Sequence, residues 1–289
     1  MSKRQDKVYA IVNRKGGVGK STTAITLAHG LARRLARQVD GRWEVSGHVL
    51  LIDLDPQSNC ATILGLDPGE ADIGALLAGR QEPADSVISA DRSEAGFPRV
   101  NLWLIPSSTD LVNAKQELIL ANFMQMMTAR QHKNAVPLLD VLETRLGILR
   151  DRFDYILIDC PPNLDALSNA VYHFADAAIV PVKVDYLSAA GAAQHVSDIR
   201  QAQMEGIAIN IDTIVPTFFV PRQLLDRQIL AALQETYGAH HVAEPIPKAQ
   251  AVAEAPAFRG GATLYEYAPD SPATLAYEKL VERIYHNGR

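Results

Sequence analysis

The sequence predicts a single α/β domain built on a mostly parallel, twisted sheet with helices on both faces. Three observations predict it. Short β-branched runs alternate with longer helical patterns along all 289 residues, the signature of βαβ units. Several of those runs are nearly continuous in apolar residues, as strands covered on both faces require. A glycine-rich turn joins the first run to the first helical pattern, as expected where a parallel strand feeds a helix.

The strand runs are 8–12, 48–53, 100–105, 155–159, 178–182, 213–217 and 242–245. Between them, Ala24, Ala28, Leu31 and Leu35 recur at helical spacing, as do Leu167, Val171 and Phe174, and then Leu225, Ile229 and Leu233. A last helix over 272–286 presents Leu275, Tyr277, Leu280, Ile284 and Tyr285. Residues 38–47 and 65–96, rich in Gly, Asp and Ser, read as irregular surface excursions. The first is a possible inserted hairpin or loop, and its Trp43 either tucks onto the domain or serves a partner. His240-His241 reads as a loop pair without a third metal ligand. No repeat or linker divides the chain, so residues 1–289 are expected to form one domain.

With 47% apolar residues the chain can bury a sizeable core. It has no run of eighteen apolar residues, and its first residues are polar with no apolar segment after them, so a cytoplasmic protein is expected. A net charge of -5 argues against constitutive coating of nucleic acid but permits a local basic patch. Cys60 and Cys160 stand far apart with no CxxC spacing, which predicts reduced, structural thiols and neither a disulfide nor a zinc site.

The segment after the first strand reads Asn13-Arg14-Lys15-Gly16-Gly17-Val18-Gly19-Lys20-Ser21-Thr22. Glycines let successive N–H groups turn toward phosphate oxygens, and the following helix adds its positive end. Lys20 would reach the β/γ-phosphates and the Ser21 hydroxyl would sit on Mg²⁺. Arg14 stands where the ordinary motif has glycine, and a second lysine, Lys15, precedes the paired glycines. At the end of the second strand, Asp53-Leu54-Asp55-Pro56-Gln57 puts two carboxylates where open α/β sheets bind ligands, on the same side if the segment stays extended. The run 155–159 ends in Asp159 before Cys160-Pro161-Pro162, the form of a strand whose carboxylate helps hold Mg²⁺.

Together these motifs resemble the deviant Walker A ATPases, and over nearly the whole chain they resemble the ParA/Soj partition family. The resemblance extends to 178–182, Tyr186, Gly191, 253–256 and 267–272, which look like the ParA C-terminal half. It implies a P-loop NTPase fold, ATP and Mg²⁺ as cofactors, and weak, partner-stimulated ATP hydrolysis. By the same resemblance Lys15 crosses a dimer interface to the partner's nucleotide, Asp55 orients the attacking water, and Asp53 and Asp159 belong to the Mg²⁺ shell with Ser21. Residues Lys15, Gly16, Gly17, Val18, Gly19, Lys20, Ser21 and Thr22 would bind nucleotide, with Thr217 and Pro247 beside adenine. Asn163 stands where relatives carry serine. Arg222 matches one family position that contacts DNA, and Lys248 replaces one of two further arginines. The implied partners are a second copy, non-specific DNA and a ParB-like or other cargo adaptor, which would make the protein nucleoid-associated. No helix-turn-helix extension is expected before the phosphate loop. A membrane-associated, MinD-like alternative needs a basic amphipathic C-terminal helix, but 272–286 mixes Glu278 and Glu282 with Lys279 and Arg283. An iron-protein-like reductase needs cysteines shared at a dimer axis, whereas Cys60 and Cys160 each adjoin a nucleotide motif.

Overall fold

The computed structural model describes residues 7–127, 136–163, 165–185, 196–197 and 199–287; Tyr186 and Gly191 lie outside them. A seven-stranded sheet runs in the order β5-β6-β4-β7-β1-β8-β9. Its strands are β1 (Lys7–Ile11), β4 (Val49–Asp53), β5 (Ile88–Ser89), β6 (Leu102–Ile105), β7 (Tyr155–Asp159), β8 (Ala177–Lys183) and β9 (Asn210–Thr217). All pairings are parallel except β5 with β6.

Because successive side chains of a strand point to opposite faces, the sheet divides the core in two. Tyr9, Ile11, Leu51, Leu157 and Ile179 face α1 (Lys20–Leu35). Val8, Ala10, Leu50, Ile52 and Ile156 face the helices of the other layer. These include α3 (Ile73–Leu77), α6 (Val141–Leu146) and α7 (Ser168–Phe174), which follow α2 (Asn59–Leu64), α4 (Pro83–Ser86) and α5 (Asp110–Met127) in chain order. Later come α8 (Leu224–Tyr237), α9 (Ala251–Glu254), α10 (Leu264–Tyr267) and α11 (Pro272–Asn287).

Helix α11 lies on α1 through Ala273, Ala276, Tyr277, Leu280, Val281 and Ile284, all buried. Gly30 permits the approach, because a Cβ there would lie 2.4 Å from Val281 and 2.6 Å from the Tyr265 hydroxyl. Leu275 departs from the expectation: it is 53% exposed, because it falls off the helical stripe that contains 276, 280 and 284.

Residues 65–96 also differ from the irregular excursion that their composition suggests. They hold α3, whose Ile73, Leu76 and Leu77 are fully buried, and the edge strand β5. Asp72 caps α3 by accepting from the Ala75 amide at 2.8 Å. The run 242–245 is no strand but only an isolated bridge to Ile214. Ala243 and Ile246 donate to β9 carbonyls, but Pro245 has no N–H and interrupts the ladder.

Residues 36–45 form an antiparallel hairpin, β2 (Ala36–Val39) with β3 (Arg42–Val45). Asp40 and Gly41 both take positive φ, 48° and 76°, the requirement of a two-residue hairpin turn that matches strand twist. Trp43 is 40% exposed and its other side lines a cavity of about 250 Å³ with His29, Arg33, Arg37 and Asn101.

A buried ion pair ties the loop before β6 to α10. Arg99 binds Glu266 through two 2.8 Å bonds and also donates to the Leu64 carbonyl at 2.8 Å. Glu266 closes a capping box with Thr263, and His29 Nδ1 lies 2.7 Å from the Thr263 hydroxyl.

Candidate nucleotide site

The carboxyl edge of the sheet gathers most of the predicted residues. Beyond β1, Val12 continues toward β8 by donating to the Ile179 carbonyl at 3.0 Å. The chain then turns into the phosphate loop. Asn13 fixes the turn by donating to the Pro181 carbonyl at 2.8 Å and accepting from the Lys15 amide at 2.9 Å. Gly17 and Gly19 have φ of 69° and 89°, where side chains with a Cβ are strained. Val18 is buried, and its carbonyl accepts the Thr217 hydroxyl at 2.8 Å.

Helix α1 starts with Gly19 at its N-cap, no side-chain cap and no acidic residue in its first turn. Its first amides and positive dipole end are therefore available to an anion. Lys20, 7% exposed, folds back over the loop and donates to the Lys15 carbonyl at 3.0 Å. Burial lowers its pKa, against the opposing pull of Asp159 and Asp55. Ser21 and Thr22 are half-buried in the first turn.

Asp53 and Asp159 end neighbouring strands in direct register. Both are fully buried. Burial raises Asp53 to about 6, although amide bonds from Asp55 and Cys60 hold it down. Burial and the charge of Asp53 raise Asp159 to about 7, opposed by the Ser21 hydroxyl, the Cys60 thiol and Lys20. Asp159 Oδ2 accepts from the Cys60 thiol at 3.4 Å, while its Oδ1 has no hydrogen-bond partner among the described residues. A buried carboxylate oxygen without a donor fits a cation, so these residues suit the magnesium that the motif implies.

The extended segment does not run on to Asp55. The strand stops at Asp53, whose Oδ1 accepts the Asp55 amide at 2.9 Å in an Asx turn. Asp55 is consequently half-exposed, and its carboxylate accepts the Gln57 amide at 3.0 Å.

Lys15 reaches outward to Asp185, 3.2 Å away, which also pairs with Lys183 at 3.2 Å. Asp185 was not singled out from sequence, although it stands just past β8 as Asp55 stands just past β4. Thr217 and Pro247 meet in an apolar pocket with Gly19, Thr22, Phe218 and Tyr277. Phe218, also unanticipated, has a positive φ of 57° and carries Lys183 above its ring at 5.8 Å. Lys248 lines that pocket from an exposed position, held where its amide donates to the Phe219 carbonyl at 3.0 Å. Arg222 is exposed in the turn after Phe219.

A parallel sheet with a glycine loop feeding a bare helix end, a lysine inside the loop and carboxylates on two adjoining strand ends defines a P-loop nucleoside triphosphatase. A family model described as an AAA domain matches residues 6–213. The chain is 32% identical over 278 residues to the chromosome-partitioning ATPase Soj of Thermus thermophilus, covering 95% of this chain and 94% of that protein. It is 30% identical over 292 residues to the chromosome partitioning protein ParA of Caulobacter vibrioides, covering 100% and 97%. Among solved structures, apo McdA of Cyanothece superposes with a TM-score of 0.76 at 25% identity, covering 96% of this chain and 99% of that one. The chain belongs to the ParA/Soj family of AAA-domain ATPases.

Proposed function

We propose that this protein is an ATP-gated positioning ATPase that dimerises on ATP, binds nucleoid DNA without sequence preference and is released when a cargo adaptor stimulates hydrolysis. The observation that carries the reading is the convergence of Lys20, Lys15, Asp53, Asp55 and Asp159 around one glycine loop. ATP would lie against residues 15–22 with its base toward Thr217 and Pro247. Magnesium would be held by Ser21, Asp53 and Asp159, and when bound it supplies positive charge to the phosphates. Lys20 supplies a second charge from within the loop, and Asp55, at the solvent rim, orients the attacking water. Lys15, on the outer side of the loop, serves a nucleotide held by a second copy.

Arg222 and Lys248 stand exposed on segments bridged by Phe219 and Pro247, which supports a small basic patch that dimerisation duplicates. A MinD-like membrane role finds less support. The apolar side of α11 is spent on α1, and Arg34 pairs with Glu278 and Glu282 of α11 at 3.3 and 2.5 Å. Among the described residues no helix is long and apolar enough to cross a membrane. The test is retention of non-specific duplex DNA with ATP, ADP or no nucleotide across a salt series. Binding is expected only with ATP, and Arg222→Ala should lower the slope of log affinity against log salt by up to ~2, one contact of about 0.9 per subunit. Equal binding in every nucleotide state, or none with ATP at low salt, refutes the DNA reading.

A further inference from the structure

Cys60 sits where its sequence spacing gives no sign of metal chemistry. The fold brings its thiol to the carboxylates of Asp53 and Asp159, with one donor atom from each lying within 4.8 Å of the others. Among the described residues this is the one such group of three or more potential ligands. The thiol comes from the first turn of α2, and the two carboxylates from the ends of β4 and β7.

We propose that Asp53, Cys60 and Asp159 form a site for a thiophilic divalent cation, Zn²⁺, which competes with magnesium-nucleotide loading. Four observations carry this. The Cys60 sulfur and Asp159 Oδ2 are 3.4 Å apart, close to the ~3.6 Å edge of a tetrahedron with zinc–sulfur and zinc–oxygen bonds of about 2.3 and 2.1 Å. The separation limit of 4.8 Å asks the remaining donors to close by at most about 1.4 Å to reach tetrahedral edges of roughly 3.4–3.6 Å. Asp159 is fully buried, and its Oδ1 has no hydrogen-bond partner among the described residues. Asp53 is held in place by amides of Asp55 and Cys60 at 2.9 and 3.0 Å, the kind of outer support that orients metal ligands.

The donor set selects the ion. Magnesium takes oxygen ligands in octahedral geometry and keeps its waters, so a thiol adds nothing to it. Zinc accepts sulfur and carboxylate oxygen together in tetrahedral geometry, leaving a fourth position for water or another oxygen. On binding, the S–H bond breaks, the proton passes to solvent and the thiolate pair binds the ion. Residues 55–58, the turn that joins Asp53 to the helix bearing Cys60, are half-buried or exposed. An ion held there takes Asp53 and Asp159 away from magnesium, so zinc acts as a brake on nucleotide loading.

The chain has two cysteines, and they lie on opposite faces of the sheet, Cys60 toward α1 and Cys160 in the other core. This gives the test its control. Cobalt(II) is titrated into the full-length, chelator-treated, nucleotide-free protein, followed by Zn²⁺ to displace it. Wild type and Cys160→Ala should bind one cobalt per chain with a thiolate-to-cobalt charge-transfer band that zinc removes. In Cys160→Ala that band can come only from Cys60, so the result stands even if Cys60 variants fold poorly. Cys60→Ala and Cys60→Ser should lose the band and bind zinc at least tenfold more weakly. Zinc should weaken Mg²⁺-ADP binding by wild type and Cys160→Ala, and by at least tenfold less in Cys60→Ala. No band in wild type, a band lost with Cys160, or undiminished zinc affinity in a folded Cys60 variant overturns the site. Equal zinc inhibition with and without Cys60 overturns the brake. A chain that binds Mg²⁺-ADP normally but no cobalt fails this proposal alone and leaves the ATPase reading intact.

Discussion

Replacing Arg99 by methionine should unfold this protein at a markedly lower temperature, although Arg99 lies on the loop before β6 and outside the phosphate loop. Its side chain is fully buried, makes two 2.8 Å bonds to Glu266 and satisfies the Leu64 carbonyl. Methionine keeps much of the aliphatic stem but leaves Glu266, whose side chain is 9% exposed, without its cation. Breaking a buried pair from one side costs about 3–5 kcal/mol, mostly because the surviving charge is stranded. With an unfolding entropy of about 2.1 cal/mol/K per residue, a chain of 289 residues has roughly 0.6 kcal/mol/K, so the midpoint should fall by about 5–8 °C. Calorimetry at pH 7 measures it. The companion variant Glu266→Gln keeps an acceptor for the Thr263 amide, which donates to Glu266 at 2.8 Å. The double variant should lose at least about 1 kcal/mol less than the sum of the singles, because the two groups are in contact. A midpoint shift below about 2 °C for Arg99→Met, or strict additivity in the cycle, refutes the clamp.

Four further substitutions separate the layers of the reading. His29 is held neutral, since burial pushes its pKa from 6.5 down to about 3. The unfolded chain therefore takes up a proton below pH 6.5 that the folded chain refuses, so stability is full above that value and falls with acid; at pH 5.5 the loss is about 1.4 kcal/mol, and a melt of His29→Gln should lack this step. Lys20→Ala should lower nucleotide affinity below detection by calorimetry, whereas Lys15→Gln should bind ATP as a monomer and give no ATP dimer by light scattering; a normal dimer refutes the role across the interface. Asp55→Ala should keep ATP and dimerise, yet hydrolyse about 10²-fold or more slowly in a phosphate-release assay, the usual scale for losing a group that handles the attacking water; wild-type turnover shifts the role to Asp53.

The parts of the fold that were legible in the sequence are those where one local pattern suffices. Buried parallel strands are continuous apolar runs, and β1, β4, β7 and β8 have no other reading at that length. The phosphate loop is legible for the same reason, since its chemistry belongs to consecutive backbone groups. Helix α3 was hidden because five residues are too few to show a period, and its burial follows from α5 and α6 packing on it. The hairpin turn at Asp40-Gly41 carried a legible signal, whereas the resting place of Trp43 depends on Pro98 and Asn101, more than fifty positions away.

The carboxylates show where local reading fails within the site itself. Two residues apart in sequence, Asp53 and Asp55 look equivalent by strand alternation, but a single amide bond back to Asp53 ends the strand between them. One becomes a fully buried group and the other a half-exposed one. That difference suits the proposed division of work, with the buried carboxylate placed to hold a cation and the one at the rim placed to meet water. Asp159 and Asp185 repeat the pair on β7 and just beyond β8, one buried beside the loop lysine and one outside holding Lys15. Under the proposed function the inner carboxylates would serve the nucleotide of their own chain, and the outer, half-exposed ones would meet water or a second copy. Strand ends supply the inner residues directly; the outer ones depend on where the backbone turns after each strand, which side-chain and backbone hydrogen bonds decide and residue type alone does not.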